Sequence, residues 1–127
     1  MSKTICIVDD EESVIRSLIR VLKDEGYTII TATSPHEALE KMAAGPVDLI
    51  ISDKQMPGMD GMDLLRRVAG IWPDSVRMLL SGSLGGEVEG MLALAMQEGV
   101  IHEYIHKPWE NEELRLRIRK HLVGPAA

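Results

Sequence analysis

The chain has 127 residues, with 14 Lys and Arg against 20 Asp and Glu, a formal charge of −6. That length suits one domain and is too short for two independent cores, so a single domain is expected over 1–127, its core at about 3–122 and residues 123–127 a tail or the start of a linker. A 45% hydrophobic fraction beside 27% charged residues excludes disorder as the main state. The acid surplus argues against a nucleic-acid or anionic-membrane partner, because neutralising phosphates takes an excess of Lys and Arg.

With Phe 0, Trp 2, Tyr 2 and Met 8, the core has to be aliphatic. The one cysteine, Cys6, allows no internal disulfide, and its apolar flank reads as buried strand. No apolar run approaches the ~18 residues of a membrane span, and the apolar start is too short for a signal peptide. A soluble cytoplasmic protein is the expectation.

Short apolar runs alternate with helical patterns. Ile5–Val8 reads as the first strand, and Val14, Ile15, Leu18, Ile19, Val21 and Leu22 then recur at helical spacing until Gly26 stops them. Thr28–Thr31 is the second strand. Ser34-Pro35-His36-Glu37 opens the second helix, with Ser as N-cap, Pro in the first turn and Glu closing a capping box. Leu49–Ile51 is the third strand; Met62, Leu64, Leu65 and Val68 make a helix ended by Gly70 and Trp72-Pro73.

Val76–Leu80 is the fourth strand. The helix after it, from about Glu87 to Glu98, carries Val88, Met91, Leu92 and Ala95 and ends at Gly99; Gly85-Gly86 and Gly90 weaken it and favour a mobile switch element over a merely loose surface. Ile101–Ile105 is the fifth strand. The last helix begins Glu110-Asn111-Glu112-Glu113 and ends in Arg115, Arg117, Arg119, Lys120 and His121, charges that suit the helix macrodipole, with Leu114, Ile118 and Leu122 as its buried stripe. Strand–helix alternation repeated five times predicts a doubly wound α/β fold: a parallel five-stranded sheet with helices on both faces and right-handed crossovers.

In such sheets ligands bind beyond the carboxyl ends of the strands. The polar residues found there are Asp9 and Asp10 after the first strand, Asp53 after the third, Ser81 after the fourth and Lys107 after the fifth. Any one acid has an ordinary explanation as a turn residue or a helix-end charge. Three carboxylates on one rim repel one another, however, and a hard divalent ion such as Mg²⁺ relieves that repulsion. Adding a lysine and a hydroxyl completes the parts needed for phosphoryl transfer to an aspartate. Asp53 is the better nucleophile candidate because it stands alone after the most hydrophobic strand.

Five segments in this order resemble the receiver domain of bacterial two-component response regulators, including the chemotaxis regulators. They are Val8-Asp9-Asp10-Glu11, Asp48–Asp53 running into Met56-Pro57-Gly58-Met59-Asp60-Gly61, Leu80-Ser81-Gly82, and Tyr104-Ile105-His106-Lys107-Pro108, spread over about residues 3 to 122. The resemblance implies strand order 2-1-3-4-5 in a flavodoxin-like fold and a Mg²⁺ cofactor. It implies that Asp53 is phosphorylated from the phosphohistidine of a histidine kinase or phosphotransfer protein. Asp10, Asp53 and the backbone carbonyl of Gln55 would bind the metal directly and Asp9 mostly through water.

By the same resemblance Ser81 and Lys107 contact the phosphoryl group, and Ser81 and Tyr104 form the switch. Gln55 and Ser83 sit where dephosphorylation is tuned, and the Lys107–Pro108 bond is cis. The face made by helix 4, strand 5 and helix 5 would control an output domain or effector protein, or support a homodimer. Lys107-Pro108-Trp109 resembles receivers joined to phosphodiesterase-type or transcription-activating outputs. Catalysis would be limited to self-phosphorylation and self-dephosphorylation.

Two other function classes fit the same residues less well. A Mg²⁺-dependent phosphohydrolase would carry an acid two residues after its nucleophile, where this chain has Gln55, and a degenerate receiver would have lost Asp53 or Lys107. His102 and His106, four apart on a strand with no Cys nearby, read as solvated and not as a zinc pair. The basic run Arg115–His121 reads as a solvated face, with docking as its functional alternative. Met56 and Met59 read as packing residues, and Trp72 and Trp109 as loop anchors.

Overall fold

The computed structural model describes residues 2–56, 58–82 and 86–123. Ser83 and Gly85, two positions singled out above, lie outside the described residues, as does the expected tail at 124–127. The elements alternate as β1 (Thr4–Val8), α1 (Glu12–Leu22), β2 (Thr28–Ala32), α2 (Pro35–Ala44), β3 (Leu49–Asp53), α3 (Gly61–Ile71), β4 (Val76–Ser81), α4 (Gly86–Gln97), β5 (Glu103–His106) and α5 (Asn111–Val123). The five strands form one parallel sheet in the order β2-β1-β3-β4-β5.

The sheet sorts its side chains by the period of two that a strand imposes. Cys6, Val8, Ile50 and Leu79 face one core with Ala38, Met42, Leu64, Leu65, Leu92 and Ala95 of α2, α3 and α4. Ile5, Ile7, Leu49, Ile51, Met78 and Leu80 face the other, against Ile15, Leu18 and Leu22 of α1 and Leu114, Ile118 and Leu122 of α5. Both faces of β3 are covered, which is why it reads as an unbroken apolar run. Burial pushes the Cys6 thiol up to about 12, so it acts here as a small apolar core residue.

Local signals are realised closely. The Ser34 hydroxyl accepts from Glu37 N at 3.1 Å, while the Glu37 carboxylate reaches back to Thr33 N at 2.7 Å, one residue before the cap itself. Gly26, which follows α1, takes a left-handed φ of 83°. Gly86 and Gly90 lie inside α4, and Lys107–Pro108 is cis.

β5 starts at Glu103, two residues later than its apolar pattern predicts. Arg77 N, which would otherwise donate to a neighbouring strand, donates to the His102 ring at Nδ1 (2.9 Å). His102 is therefore half-buried and structurally engaged, which corrects the solvated reading. The Arg77 side chain, buried in β4, has no carboxylate partner among the described residues. It donates to the carbonyls of Pro73, Ser75, Gly99 and Val100 and fastens the loop before β4 to the turn before β5.

Burial, with Arg77 and His121 nearby, holds His102 below the usual histidine range. An unfolded chain takes up that proton first. The stability from neutral His102 is thus complete above the ordinary value of about 6.5 and is lost as pH falls below it toward the lower folded value. Urea melts from pH 7.5 to 5 are expected to show a falling midpoint, and His102→Gln, which can still accept from Arg77 N, a shallower fall.

Candidate functional site

β1 leads through α1 to β2 on one side, whereas β3 leads through α3 to β4 on the other. The chain thus diverges between β1 and β3, and this switch in strand order opens a crevice at their carboxyl ends. Val8 and Ser52 are register partners, so the residues that follow them, Asp9 and Asp53, emerge side by side. Asp9 is buried, Asp53 is 8% exposed, and Asp10 is open to solvent. Carboxylate oxygens of the three lie within 4.8 Å of one another.

Lys107 brings the compensating charge from the end of β5. Its Nζ donates to Asp53 Oδ1 at 2.6 Å and lies 3.6 Å from Asp9 Oδ2. Burial disfavours its charge, but the Asp53 and Asp9 contacts outweigh this, and the ammonium is held above the usual lysine range. Asp9 is also shifted upward, which for a carboxylate disfavours the charged form. Burial raises it, and neighbouring Asp53 and Asp10 raise it further, against the lowering effects of the Glu11 N–H (2.9 Å to Oδ1) and of Lys107.

Asp9 Oδ2 is buried and accepts no hydrogen bond among the described residues. A buried carboxylate oxygen without a donor, facing two other carboxylates, fits a divalent cation: oxygen donors of this hardness suit Mg²⁺. The crevice, about 340 Å³, is lined by Asp10, Asp53, Lys54, Gln55, Gly82 and Lys107. Ser81, buried, ends β4 beside Asp53, and its carbonyl accepts from Lys107 N at 2.9 Å. Tyr104 is half-buried on β5, farther along the sheet. Asp9, Asp10, Asp53, Gln55, Ser81 and Lys107 are thus brought to one end of the sheet.

Gly61 was quoted above only as part of a motif, and the structure gives it a task. A Cβ there would sit 1.9 Å from the Asp53 carbonyl oxygen and 2.9 Å from Ser52 Oγ, a hydroxyl that itself donates to that carbonyl. Gly61 N donates to Lys54 O at 2.8 Å, closing the loop that holds Gln55. Only glycine lets α3 start this close to the strand that carries Asp53. The Met-x-x-Met-Asp-Gly spacing is the only sign of this in the sequence.

The fold and site define a doubly wound α/β domain with an acidic crevice at its switch in strand order. A family model described as response regulator receiver domain matches residues 5–119, and the chain belongs to that family. It is 34% identical over 117 residues to the hydrogenase transcriptional regulatory protein HoxA of Cupriavidus necator, covering 92% of this chain and 23% of that protein. It is 35% identical over 121 residues to the response regulator MprA of Mycobacterium ulcerans, covering 94% and 50%. Among solved structures, the signal receiver domain of an HD domain-containing protein from Pseudomonas fluorescens superposes with a TM-score of 0.87 at 35% identity, covering 97% of this chain and 96% of that one.

The chain thus spans about a quarter of the HoxA regulator's length and half of MprA's. Receiver domains are signalling modules of two-component systems, and the expected class and strand order are both borne out. Among the described residues no helix is long and apolar enough to cross a membrane.

Gly61→Ala is expected to lower stability by about 1–3 kcal/mol through overpacking, read as a shift in denaturation midpoint. Mg²⁺ at ~100 times its dissociation constant is expected to stabilise the wild type by about 2.7 kcal/mol, visible as a rise in Tm. Asp10→Asn and Asp53→Asn should each lose most of that rise.

Proposed function

We propose that the chain is a Mg²⁺-dependent phosphoacceptor switch in which Asp53 takes a phosphoryl group from the phosphohistidine of a histidine kinase or phosphotransfer protein. The observation that carries this reading is the convergence of three carboxylates and one lysine where β1 and β3 diverge. In the transfer, a carboxylate oxygen of Asp53 bonds to phosphorus as the phosphorus–nitrogen bond breaks, and the electron pair leaves on the imidazole of the donor histidine. Asp9, Asp10, Asp53 and the Gln55 carbonyl would hold the Mg²⁺, which neutralises charge on the phosphoryl oxygens when bound.

Lys107 already rests on Asp53 at 2.6 Å and needs only a small displacement to follow the charge outward onto the phosphoryl group. Ser81 supplies a hydroxyl to the same group, and Gly82 beside it lines the crevice. Gln55 and Ser83 are read as setting the rate of self-dephosphorylation. Outside these two self-directed reactions we assign no enzymatic activity, and we read the chain as a single receiver domain with its core at about 3–122.

The phosphoryl group adds about −1.5 to −2 charge. We read Ser81 and Tyr104 as passing that change to the face of α4, β5 and α5. Met91, Leu94 and Leu116 are about half exposed there, apolar area suited to an output domain, an effector protein or a second copy. The basic stripe of α5 is less available than its sequence implies. Arg115 pairs with Glu112, Arg117 with Glu103 and Glu113, Arg119 with Glu25, and Lys120 with Glu103. This supports partners other than nucleic acid or membrane for this domain; we read it as working in the cytoplasm beside its kinase.

Incubation with Mg²⁺ and acetyl phosphate, followed by intact-mass measurement, is expected to give one phosphate adduct on the wild type and none on Asp53→Asn. Lys107→Ala should slow its formation by about 10²-fold, as loss of a preorganised charge contact does. An adduct persisting in Asp53→Asn would overturn the acceptor assignment, and turnover of many small phosphate esters would favour a hydrolase.

A further inference from the structure

We propose that Glu89 is a latch that holds the Tyr104 hydroxyl against the start of α4 and thereby sets how readily this chain passes to its phosphorylated conformer. The inference rests on reading Asp53 as the phosphoacceptor and Tyr104 as the switch, and adds a residue that neither the motifs nor the family match assigns.

Glu89 lies in the first turn of α4, and both of its carboxylate oxygens are engaged by β5. Oε2 accepts from the Tyr104 hydroxyl at 3.2 Å, and Oε1 lies 3.0 Å from His106 Nε2. Tyr104 and His106 are two apart on the strand, so they share a face. Their rings meet edge to face, with centroids 5.5 Å apart and planes at 82°. One carboxylate thus gathers two aromatic side chains and fastens the start of α4 to β5. An acid placed merely to suit the helix dipole would not turn both oxygens toward a strand.

The same contacts join the latch to the site. His106 is the register partner of Ser81, so a shift of the Ser81 backbone moves the strand neighbour whose ring Glu89 holds. With Nε2 donating to Glu89, His106 Nδ1 is buried and has no hydrogen-bond partner among the described residues. Buried polar atoms are rarely left this way. Among the described residues the latched arrangement therefore leaves this one atom unsatisfied, which suits a contact made to open. Glu89 is also 42% exposed at its side chain, so water can replace its partners when it lets go.

Linkage gives the test. A contact made only in the unphosphorylated conformer opposes any ligand that favours the other, and its removal tightens that ligand by the same factor. Beryllofluoride with Mg²⁺, a phosphoryl mimic, is the probe, titrated calorimetrically. Glu89→Ala is expected to bind it about fivefold more tightly than wild type or better. Tyr104→Phe, which removes the hydroxyl alone, should show part of the gain. The Glu89→Ala and Tyr104→Phe pair should gain no more than Glu89→Ala by itself. Glu87→Ala, in the same helix turn, should match wild type.

Without the probe, the Tyr104 ring signals of Glu89→Ala in NMR should move toward those of beryllofluoride-bound wild type. Wild-type affinity in Glu89→Ala, an equal gain in Glu87→Ala, or unmoved Tyr104 signals would each overturn the latch while leaving Asp53 as acceptor. A wild type that takes up no beryllofluoride, or an Asp53→Asn variant that takes it up equally, would overturn the acceptor reading and the latch with it.

Discussion

Repulsion among Asp9, Asp10 and Asp53 is the constraint around which this molecule is organised. Oxygens of three carboxylates within 4.8 Å of one another are unfavourable unless positive charge is supplied, and among the described residues Lys107 is the cation paired with them. One paired ammonium against three carboxylates leaves their charge only partly offset. The raised affinity of Asp9 for its proton, caused first by burial and then by its neighbours, is the thermodynamic mark of that imbalance. The hydrophobic layers on both faces of β1 and β3 hold these groups together despite the repulsion.

That imbalance makes the site responsive. On the proposed function, a cation entering the crevice and a phosphoryl group arriving from a donor histidine would change the same local charge, and Lys107 would adjust to both. Gly61 and Ser52 fix the Asp53 backbone, so adjustment falls to side chains and to the neighbouring strands. β4 and β5 are where it can spread, since Ser81 and His106 are register partners and α4 is fastened to β5 through Glu89. Farther from the site, Arg77 and Glu103 anchor the other end of these strands. Glu103, buried in β5, is held below the usual carboxylate range: burial opposes its charge, but hydrogen bonds from Lys120 and His121 and the charge of Arg117 outweigh that.

Much of this was legible in the residues. Asp9, Asp10, Asp53, Ser81 and Lys107 each stand at the end of an apolar run, and a parallel sheet gathers such ends on one rim. The helix starts were legible because caps are local chemistry, as at Ser34. What escaped involved partners distant in sequence. Arg77 is visibly a lone cation in an apolar strand, yet nothing local shows that its partners are backbone carbonyls from two separate turns. His102 looked solvated for the same reason, and its bond to Arg77 N delays the start of β5.

By itself, then, the sequence determined the elements, the class of sheet and the list of acids, because periodicity, capping and charge are properties of short segments. The net charge of −6 was part of that, though as a total it said only what the chain would avoid. The tertiary structure alone decided which acids meet and what balances them, because those distances depend on the crossover between β1 and β3. It also decided that the basic helix is already paired with glutamates, and that Glu89 reaches Tyr104 and His106 across a gap of 15 and 17 positions in the chain. Contacts of that kind arise only when packing brings separate segments together, and here they connect the charge at the rim to the face the domain presents.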